Sequence, residues 1–388
     1  MKFSDRTRPR RGTALAASVC ALALILTACG GEETAATGGS DDTTDGATDG
    51  AADGDAVYSS GDVIEMIVPA SPGGGTDTLA QFLSPHLQRT IPGEPSLQIN
   101  HISGGGNVIG MNEFLRREAD GSSTLLSSGS GHLAYVMGED AVQFDMRDWQ
   151  AIAGFGSNAV IYADPDVIDD PADLLSLDQP LRAGEQSPTG RAITFLVAFD
   201  LLGVELDMVF GYEGSGDARL AFERGDSDID WQSKPAYMSN VEPLVEEGIA
   251  VPLFNLGMLQ GGEVVRDPQY PDMPTVVEVY EMLHGESPSG QQWEDFKALM
   301  AVGWSLQKVW WLPEDTDPAY ARSLRGAVGE LLADQEFRDA YEETIGEVDL
   351  LVTGDELEGD VRDMLATIDG ALQERLLEFL RTTYDVEV

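Results

Sequence analysis

The stretch that decides the fold is Val63 to Asp77, which reads VIEMIVPASPGGGTD. Its first part, Val63 to Val68, is a nearly continuous apolar run of strand length, and prolines end it. The glycines Gly73 to Gly75 follow, and Thr76 or Asp77 can then cap a helix. A strand, a glycine turn and a helix start gather several free backbone N–H groups, where the helix dipole adds partial positive charge. The stretch therefore predicts an anion-binding turn.

The same arrangement recurs further along the chain. A strand-like segment, Ser96 to Ile102, leads into the turn Ser103 to Asn107, which contains three glycines, and Asn107 can cap the next helix. A third short strand, Ser123 to Leu126, leads into a polar tip that begins at Ser127. Strands that alternate with helices predict a parallel sheet with right-handed crossovers, whose ligands lie at the carboxyl ends of the strands. We therefore expect the tips to form one pocket that binds a carboxylate.

The remainder of the chain predicts a second domain and a return to the first. Ala151 to Ala163 carries strand signals and could cross to the second domain, and Leu306 to Leu312 is typical of a buried strand that leads back. Thr353 to Glu356 has the form of a capping box, which would start one long helix with apolar positions through Leu380. The predicted boundaries are 57–158 with 301–388 for domain I and 159–300 for domain II.

The first 56 residues are predicted to lie outside the fold. Residues 1–29 combine a basic start with an apolar run too short for a comfortable membrane span, which is typical of a signal peptide. The run ends in Leu-Thr-Ala-Cys at Cys29, which resembles a bacterial lipobox whose cysteine is lipidated. Residues 30–56 are small, polar and acidic, and predict a flexible tether. Cys20 would be removed with the signal, so no disulfide or cysteine-rich metal site is expected.

The formal net charge of −45 restricts the partners. Such an acidic balance argues against binding to nucleic acid or to an anionic membrane surface. Lysine is scarce after the signal segment, where only Lys234, Lys297 and Lys308 remain. An acidic surface of this kind is commonly an adaptation to high salt, and we hold that as a hypothesis.

Several motifs together indicate a family. They are Val68-Pro69, the turn Gly73 to Asp77, the stretch from Asn100 through Gly104 to Gly110, and Asp120-Gly121 before a Thr-Leu-Leu strand. In these motifs the chain resembles the substrate-binding receptors of the tripartite tricarboxylate transporter family, the Bug or TctC-like proteins. The match is looser beyond Val136, where the stretches 210–218, 225–230 and 274–278 resemble family patterns. The chain departs from the family at 187–191, where the usual histidine is missing, and around 304–311.

The resemblance implies an α/β, type II periplasmic-binding-protein-like fold of two lobes, with the ligand in the interdomain cleft. It implies a monomeric extracytoplasmic receptor, anchored by lipid at Cys29 to the outer face of the cytoplasmic membrane. The receptor would hand a small carboxylate to membrane subunits of a tripartite transporter, with no cofactor, metal or catalytic residue. The residues expected at the ligand are Pro72, Gly73, Gly74, Gly75, Thr76, Asp77, Gly104, Gly105, Gly106, Asn107, Ser128, Gly129, Ser130, Thr189, Gly190 and Arg191.

Other interpretations of the same residues stay open. The glycine turns could be plain connections, and Asp77 is better explained as a cap or turn-holding acid than as a catalytic one. Arg191 could pair with the ligand or form a surface salt bridge. His101 and His132 are not at metal-ligand spacing, which argues against a metal site. The tryptophans are better explained as core or cleft wall than as a stacking box, namely Trp231, Trp310 and Trp311.

The main alternative function is an extracytoplasmic α/β enzyme that acts on a carboxylated small molecule. The segment Gly104 to Gly110 formally contains Gly-x-Gly-x-x-Gly, but nicotinamide cofactors are scarce outside the cytoplasm. No nucleophile elbow with a persuasive histidine and aspartate is found. A purely structural surface lipoprotein does not account for two paired anion turns. The ligand could be citrate-like, a dicarboxylate, an aromatic carboxylate or an acidic amino acid.

Overall fold

The structure, a computed structural model, describes residues 56–387. The predicted signal peptide, its Cys29 and the tether up to residue 55 lie outside the described residues. The strands are β1 (Val63–Val68), β2 (Ser96–His101), β3 (Ser123–Leu126), β4 (Gln150–Phe155), β5 (Ala159–Ala163), β6 (Leu181–Glu185), β7 (Leu206–Phe210), β8 (Ile229–Ser233), β9 (Val251–Asn255), β10 (Met258–Gln260), β11 (Glu263–Val265), β12 (Lys308–Leu312) and β13 (Leu351–Thr353).

Helices connect and cover these strands. The α-helices are α1 (Gly75–Thr90), α2 (Val108–Phe114), α3 (Gly129–Val136), α4 (Ala192–Leu202), α5 (Ser215–Glu223), α6 (Lys234–Ala236), α7 (Glu242–Glu246), α8 (Val276–His284), α9 (Gln291–Met300), α10 (Pro318–Ala333), α11 (Gln335–Thr344), α12 (Leu357–Ala366) and α13 (Gly370–Tyr384). Two π-helical segments occur at Tyr237–Val241 and Ala301–Ser305. No helix within residues 56–387 has both the length and the apolar character that a membrane crossing requires.

The first lobe is built on a six-stranded sheet of order β13-β4-β12-β3-β1-β2. Strand β1 is parallel to both β2 and β3, as the alternation of strands and helices predicts. Strand β12 returns antiparallel between β3 and β4, and confirms the buried strand predicted near residues 306–312. The carboxyl ends of β1, β2 and β3 therefore share one edge of the sheet, where β12 begins.

The second lobe contains three smaller sheets, with the orders β8-β5-β9, β6-β7 and β10-β11. The segment Ala151 to Ala163, which carries strand signals and was expected to cross to the second domain, does so as two strands, β4 in the first lobe and β5 in the second. Between them the chain leaves the first sheet: Gly156 N–H donates to Leu350 O at 2.9 Å and Ser157 N–H donates to Trp304 O at 3.1 Å. The predicted domain boundaries themselves stay a prediction.

Two predicted helix starts are wrong. Helix α1 begins at Gly75 with Gly74 in extended conformation before it, so neither Thr76 nor Asp77 is the cap. Thr353 cannot cap a helix because it ends β13, where its hydroxyl donates to Ile152 O at 2.7 Å. The expected long C-terminal helix is two helices, α12 and α13. The carboxylate of Asp369 accepts from Leu372 N–H at 2.8 Å and starts the second one.

Apolar side chains cover both faces of the main sheet. In β1, Ile64, Met66 and Val68 pack with Trp310 on one side, whereas Ile67 packs with Trp311 on the other. This division follows from the alternation of side chains along a strand. The tryptophans expected in the core are all buried, Trp310 and Trp311 in the main sheet and Trp231 on β8 of the second lobe.

Candidate functional site

The first glycine turn is held in shape by Asp77. Gly73 has a φ of +82°, and its N–H donates to Asp77 Oδ2 at 2.8 Å. The other carboxylate oxygen, Oδ1, lies 2.8 Å from His101 Nε2. Because His101 ends β2 directly beside Val68 of β1, the parallel register places its ring against the turn. Asp77 is thus a turn-holding acid, as the sequence predicts. The first N–H groups of α1 have no acceptor within the helix and point out of its beginning.

The second glycine turn requires left-handed backbone throughout. Gly104, Gly105, Gly106 and Asn107 have φ values of +114°, +56°, +59° and +80°. Glycine adopts such values readily, whereas residues with a Cβ rarely do. The Asn107 amide donates to Pro69 O, and its oxygen accepts from Ser128 Oγ. Asn107 stands at the N-cap position of α2, but its side chain makes no capping hydrogen bond. Its side chain instead links the second turn to Pro69 and to Ser128.

The third tip, Ser128 to Ser130, lies beside the beginning of β12. Ser128, Gly129 and Ser130 are buried, and Gly129 N–H donates to Gln307 O at 2.7 Å. The hydroxyl of Ser130 accepts from Arg191 N–H at 3.4 Å. The tip therefore connects the first-lobe sheet to the beginning of α4 in the second lobe.

Both glycine turns face the second lobe at close range. Ser71 Oγ donates to Asp217 Oδ2 at 2.7 Å, which links the first turn to α5. A Cβ at Gly74 would lie 2.7 Å from Ser215 Oγ, and a Cβ at Gly106 would lie 3.0 Å from Ser187 Cβ. A side chain at either position would force the facing serine of the second lobe to shift. The turns thus line the junction of the two lobes.

Arg191 is buried and ion-paired within the protein. Its guanidinium lies 2.6 Å from Glu185 Oε1, and both residues are at most 5% exposed. The same carboxylate oxygen accepts from Trp231 Nε1 at 2.8 Å. The surface salt bridge considered for Arg191 is therefore wrong, because the pair is buried. A contact of Arg191 with a ligand stays a prediction.

Thr189 and Gly190 differ in their surroundings. Thr189 Oγ1 donates to Glu139 Oε2 at 2.7 Å and lines a depression of about 440 Å³ that also includes Leu377. A Cβ at Gly190 would lie 3.5 Å from Ser130 Oγ, so Gly190 stands directly against the third tip. The ligand-binding roles predicted for all sixteen site residues stay predictions.

The sequence did not identify some residues of this junction as candidates for the site. Ser71 is one such residue, and Asp217 is another, which lies in the first turn of α5. Arg219 places a guanidinium nitrogen 3.8 Å from the position of a Cβ at Gly73, and also pairs with Glu223. The stretch 210–218 of the second lobe contacts the first glycine turn, which belongs to the first lobe. Hydrophobic periodicity along the sequence cannot predict a contact between segments so far apart. The resemblance in that stretch was the available hint.

Burial shifts the pKa values of several groups near the junction. Burial lowers the pKa of His132 to about 3, so that its ring is neutral near pH 7, and its Nε2 lies 2.7 Å from Ser127 Oγ. Burial also raises the pKa of Asp230 to about 6, although hydrogen bonds from Gln232 and Tyr162 oppose that shift. Within residues 56–387 no group of three or more His, Cys, Asp or Glu side chains is arranged to hold a metal ion.

A second depression, of about 960 Å³, lies beyond the carboxyl end of β12, at the opposite edge of the sheet from the glycine turns. Its lining includes Glu314, Asp315 and Glu358, although Arg322 and Arg325 also contribute. The carboxylates there would repel an anionic ligand. The junction of the lobes is therefore the better candidate for a carboxylate site.

Comparison with known proteins shows which proteins the chain is similar to. No family model matches the chain. Protein BugT of Bordetella pertussis is 27% identical over 327 residues, which span 80% of this chain and 88% of BugT. The R. palustris protein Rpa4515, solved with adipate, superposes with a TM-score of 0.64 at 19% identity, over 83% of this chain and 96% of that chain. The periplasmic binding protein BugD superposes with a TM-score of 0.61 at 17% identity, over 83% and 97%.

The chain is similar in sequence to BugT and in fold to BugD. The structural neighbours also confirm the predicted fold class, a two-lobe α/β fold of the periplasmic-binding-protein kind. In this fold the two glycine turns belong to the first lobe and face the second.

Proposed function

We propose that this protein is an extracytoplasmic receptor that captures a small carboxylate between its two lobes. The observation that carries the proposal is the convergence of two glycine turns on the lobe junction, where Ser71 and Gly106 contact the second lobe. Backbone N–H groups at a helix start and in left-handed turns are suited to an anion. The similarity to BugT and to a fold solved with adipate supports the same chemistry.

The acidic character of the protein does not oppose this proposal. Exposed charges are screened beyond about 8 Å at physiological ionic strength, whereas donors in the junction act at contact. Close approach of a carboxylate to the backbone also needs turns without side chains, which Gly74 and Gly106 supply. The ligand would be bound through hydrogen bonds and not through a covalent step.

Binding of carboxylates to the purified protein tests the proposal. Isothermal titration with adipate, malate, succinate and citrate should give saturable binding to one site for at least one acid. The acid recovered afterwards should be chemically unchanged by NMR, since no catalysis is expected. Turnover would favour the alternative, an enzyme for carboxylated small molecules. Absence of binding to all four acids would remove the carboxylate proposal.

The proposed route of the ligand includes a membrane partner and a lipid anchor. In this proposal the protein is a monomer, attached through Cys29, and delivers its ligand to membrane subunits of a tripartite tricarboxylate-type transporter. Fatty-acid labelling of the intact cell should mark the wild type and not the Cys29→Ala variant. Uptake of the bound acid should need both the receptor and the membrane subunits. Labelling of the variant would exclude Cys29 as the anchor.

A further inference from the structure

Lys308 is a buried lysine that pairs with no carboxylate among residues 56–387. Of the three lysines within residues 56–387, Lys234 pairs with Asp267 at 2.8 Å and Lys297 pairs with Glu294 at 3.0 Å. Lys308 is 1% exposed and bonds only to the side-chain oxygen of Gln307. In a chain with 68 acidic residues, this isolation is unexpected. A buried charge without a partner is costly, which favours an external counter-ion.

Lys308 lies at the edge of the sheet where the predicted ligand-binding tips are found. It is the first residue of β12, which is antiparallel to β3, so it lies at the edge where the glycine turns and Ser128 are found. The neighbouring backbone fixes this placement: Ser127 N–H donates to Val309 O at 2.9 Å, and Gly129 N–H donates to Gln307 O at 2.7 Å. Lys308 therefore adjoins the third tip of the predicted pocket.

Several polar atoms around this edge also have no partner. Arg191 Nε, Thr194 Oγ1 and Trp304 Nε1 are buried in the described part of the chain without a hydrogen bond. All three can donate, so an anion could satisfy each of them. Thr194 Oγ1 lies 3.7 Å from the position of a Cβ at Gly303, which brings the beginning of α4 against the segment that leads into β12. Unsatisfied buried donors from both lobes point to a missing acceptor.

The other charged groups nearby do not supply that acceptor. Glu185 is used by Arg191 and Trp231. Asp230 accepts from Gln232 at 2.8 Å and from Tyr162 through Oδ2, its Oδ1 is buried without a hydrogen bond, and neither carboxylate pairs with Lys308. His132 is neutral, because burial lowers its pKa to about 3. Burial, together with repulsion from Arg191, lowers the pKa of Lys308 to about 7. A bound anion would reverse this shift and favour the protonated ammonium.

We propose that Lys308 binds a second carboxylate of the ligand, so that the site prefers dianionic acids over their monocarboxylate analogues. The inference rests on the proposed function, in which the glycine turns hold the first carboxylate. Lys308 thereby distinguishes dicarboxylates from monocarboxylates, while the backbone donors bind the carboxylate that both classes of ligand possess. Because a neutral Lys308 must gain a proton when the anion binds, ligand capture is coupled to proton uptake above about pH 7.

The experiment compares adipate with hexanoate, which has the same six carbons but only one carboxylate. The wild type should bind adipate at least about tenfold more tightly, since a charge-assisted hydrogen bond in a buried site is worth this much or more. Titration in buffers of different ionisation enthalpy should show proton uptake approaching one per site near pH 8 and close to zero near pH 6. The uptake is measured on the wild type and does not depend on the folding of any variant.

Lys308→Met and Lys297→Met form a matched pair for the same measurement. Lys308→Met should lose the preference for adipate and the proton uptake, whereas Lys297→Met, which removes an equal charge from α9, should behave as the wild type. If Lys308→Met binds adipate with unchanged affinity and uptake, the role of Lys308 is overturned while the carboxylate receptor stands. If the wild type binds neither acid nor any other in the titration panel, the proposed function itself fails.

Discussion

At the scale of single residues, Asp77 shows how a carboxylate can serve an anion site without entering it. One of its oxygens holds Gly73 N–H at 2.8 Å and the other lies 2.8 Å from the ring of His101. These bonds fix the left-handed Gly73 and leave the N–H groups that begin α1 free for a ligand. The chemistry of the turn therefore resides in the backbone, and the side chains around it set its shape.

Gly74 tests the close approach of the lobes at the first turn. In Gly74→Val a side chain would start 2.7 Å from Ser215 Oγ, so the second lobe could not close over the turn. We expect carboxylate affinity to fall by about tenfold or more, since the loss of one or two charge-assisted hydrogen bonds has this size. Isothermal titration measures the change.

Gly61→Val is the matched control for this prediction. Gly61 has no atom within 4 Å of its Cβ position and does not have positive φ, so the same change there should leave affinity as in the wild type. Circular dichroism should show a folded protein in both cases. Equal affinities of the two variants would remove the first turn from the site.

Lys308 predicts a pH dependence of stability in the absence of ligand. Its pKa of about 7 in the folded protein lies below the ordinary value of 10.5, so between these pH values the unfolded chain binds more protons. Stability should therefore rise with pH in this window, by about 2 kcal/mol between about pH 7 and about pH 9. The difference between wild type and Lys308→Met in urea unfolding isolates this contribution.

The sign of the difference in unfolding free energy between the wild type and Lys308→Met tests whether Lys308 titrates as a buried group. Lys308→Met should be at least as stable as the wild type near pH 7, because it removes an uncompensated buried charge. Its advantage should shrink as the pH rises towards about 9. Parallel pH profiles for the two proteins would mean that Lys308 titrates as an exposed lysine does, contrary to its burial.

At the scale of elements, the local patterns predicted the first three strands and their connections well. An apolar run that ends at Pro69 marks β1, a short run that ends at Ser127 marks β3, and the glycines mark the turns, because these signals lie within a few neighbouring residues. The patterns gave a wrong prediction where a tertiary contact takes the place of the predicted local hydrogen bond. Thr353 has the spacing of a cap, but its hydroxyl is bonded to Ile152 in a strand pair that no local signal reports.

The same reasoning explains what was predictable in the candidate site. The glycine turns and Ser128 to Ser130 follow from sequence because each stands at the end of a strand in one sheet. Ser71 could not be assigned to the site from sequence, because its role depends on a contact with Asp217 of the other lobe. Lys308 could not be assigned either, because its role depends on the lack of a paired carboxylate among the described residues. A contact across lobes and a missing partner are both properties of the folded chain.

Asp369 carries an element-scale prediction about α13. Its carboxylate accepts from Leu372 N–H at 2.8 Å, so Asp369→Ala should destabilise the protein by about 1 kcal/mol. Glu356 occupies the corresponding N-cap position of α12, but its side chain makes no capping hydrogen bond. Glu356→Ala should therefore destabilise the protein much less. Urea unfolding of both variants makes the comparison. A larger loss for Glu356→Ala would show that the C-terminal helices are capped differently.

At the scale of the whole molecule, the lobes meet through polar contacts on more than one side. Besides Ser71 and Asp217 at the glycine turns, the buried pair of Lys234 and Asp267 in the second lobe lies near Glu347 of the first, with 3.6 Å between Lys234 Nζ and the carboxylate. The lobes therefore approach each other with charges and hydroxyls rather than with a continuous apolar face. Such a junction suits opening and closing around a polar ligand.

The acidic surface predicts a response of stability to salt. With a formal charge of −45, repulsion between exposed carboxylates opposes folding. Raising the salt concentration from about 0.1 M to about 1 M shortens the screening length from about 10 Å to about 3 Å, so the melting temperature should rise by several degrees. Differential scanning calorimetry measures the shift. A flat or falling melting temperature would mean that screened ion pairs outweigh the repulsion, against the high-salt hypothesis.

The central claim is that backbone donors of two first-lobe turns hold a carboxylate at the junction of the lobes. A crystal structure of the protein with adipate is the measurement that tests it most directly. One carboxylate should lie within hydrogen-bonding distance, about 3 Å, of N–H groups in Gly73 to Asp77 and in Gly104 to Asn107, directly or through one ordered water. Adipate bound elsewhere, with both turns making no contact to it, would contradict the account.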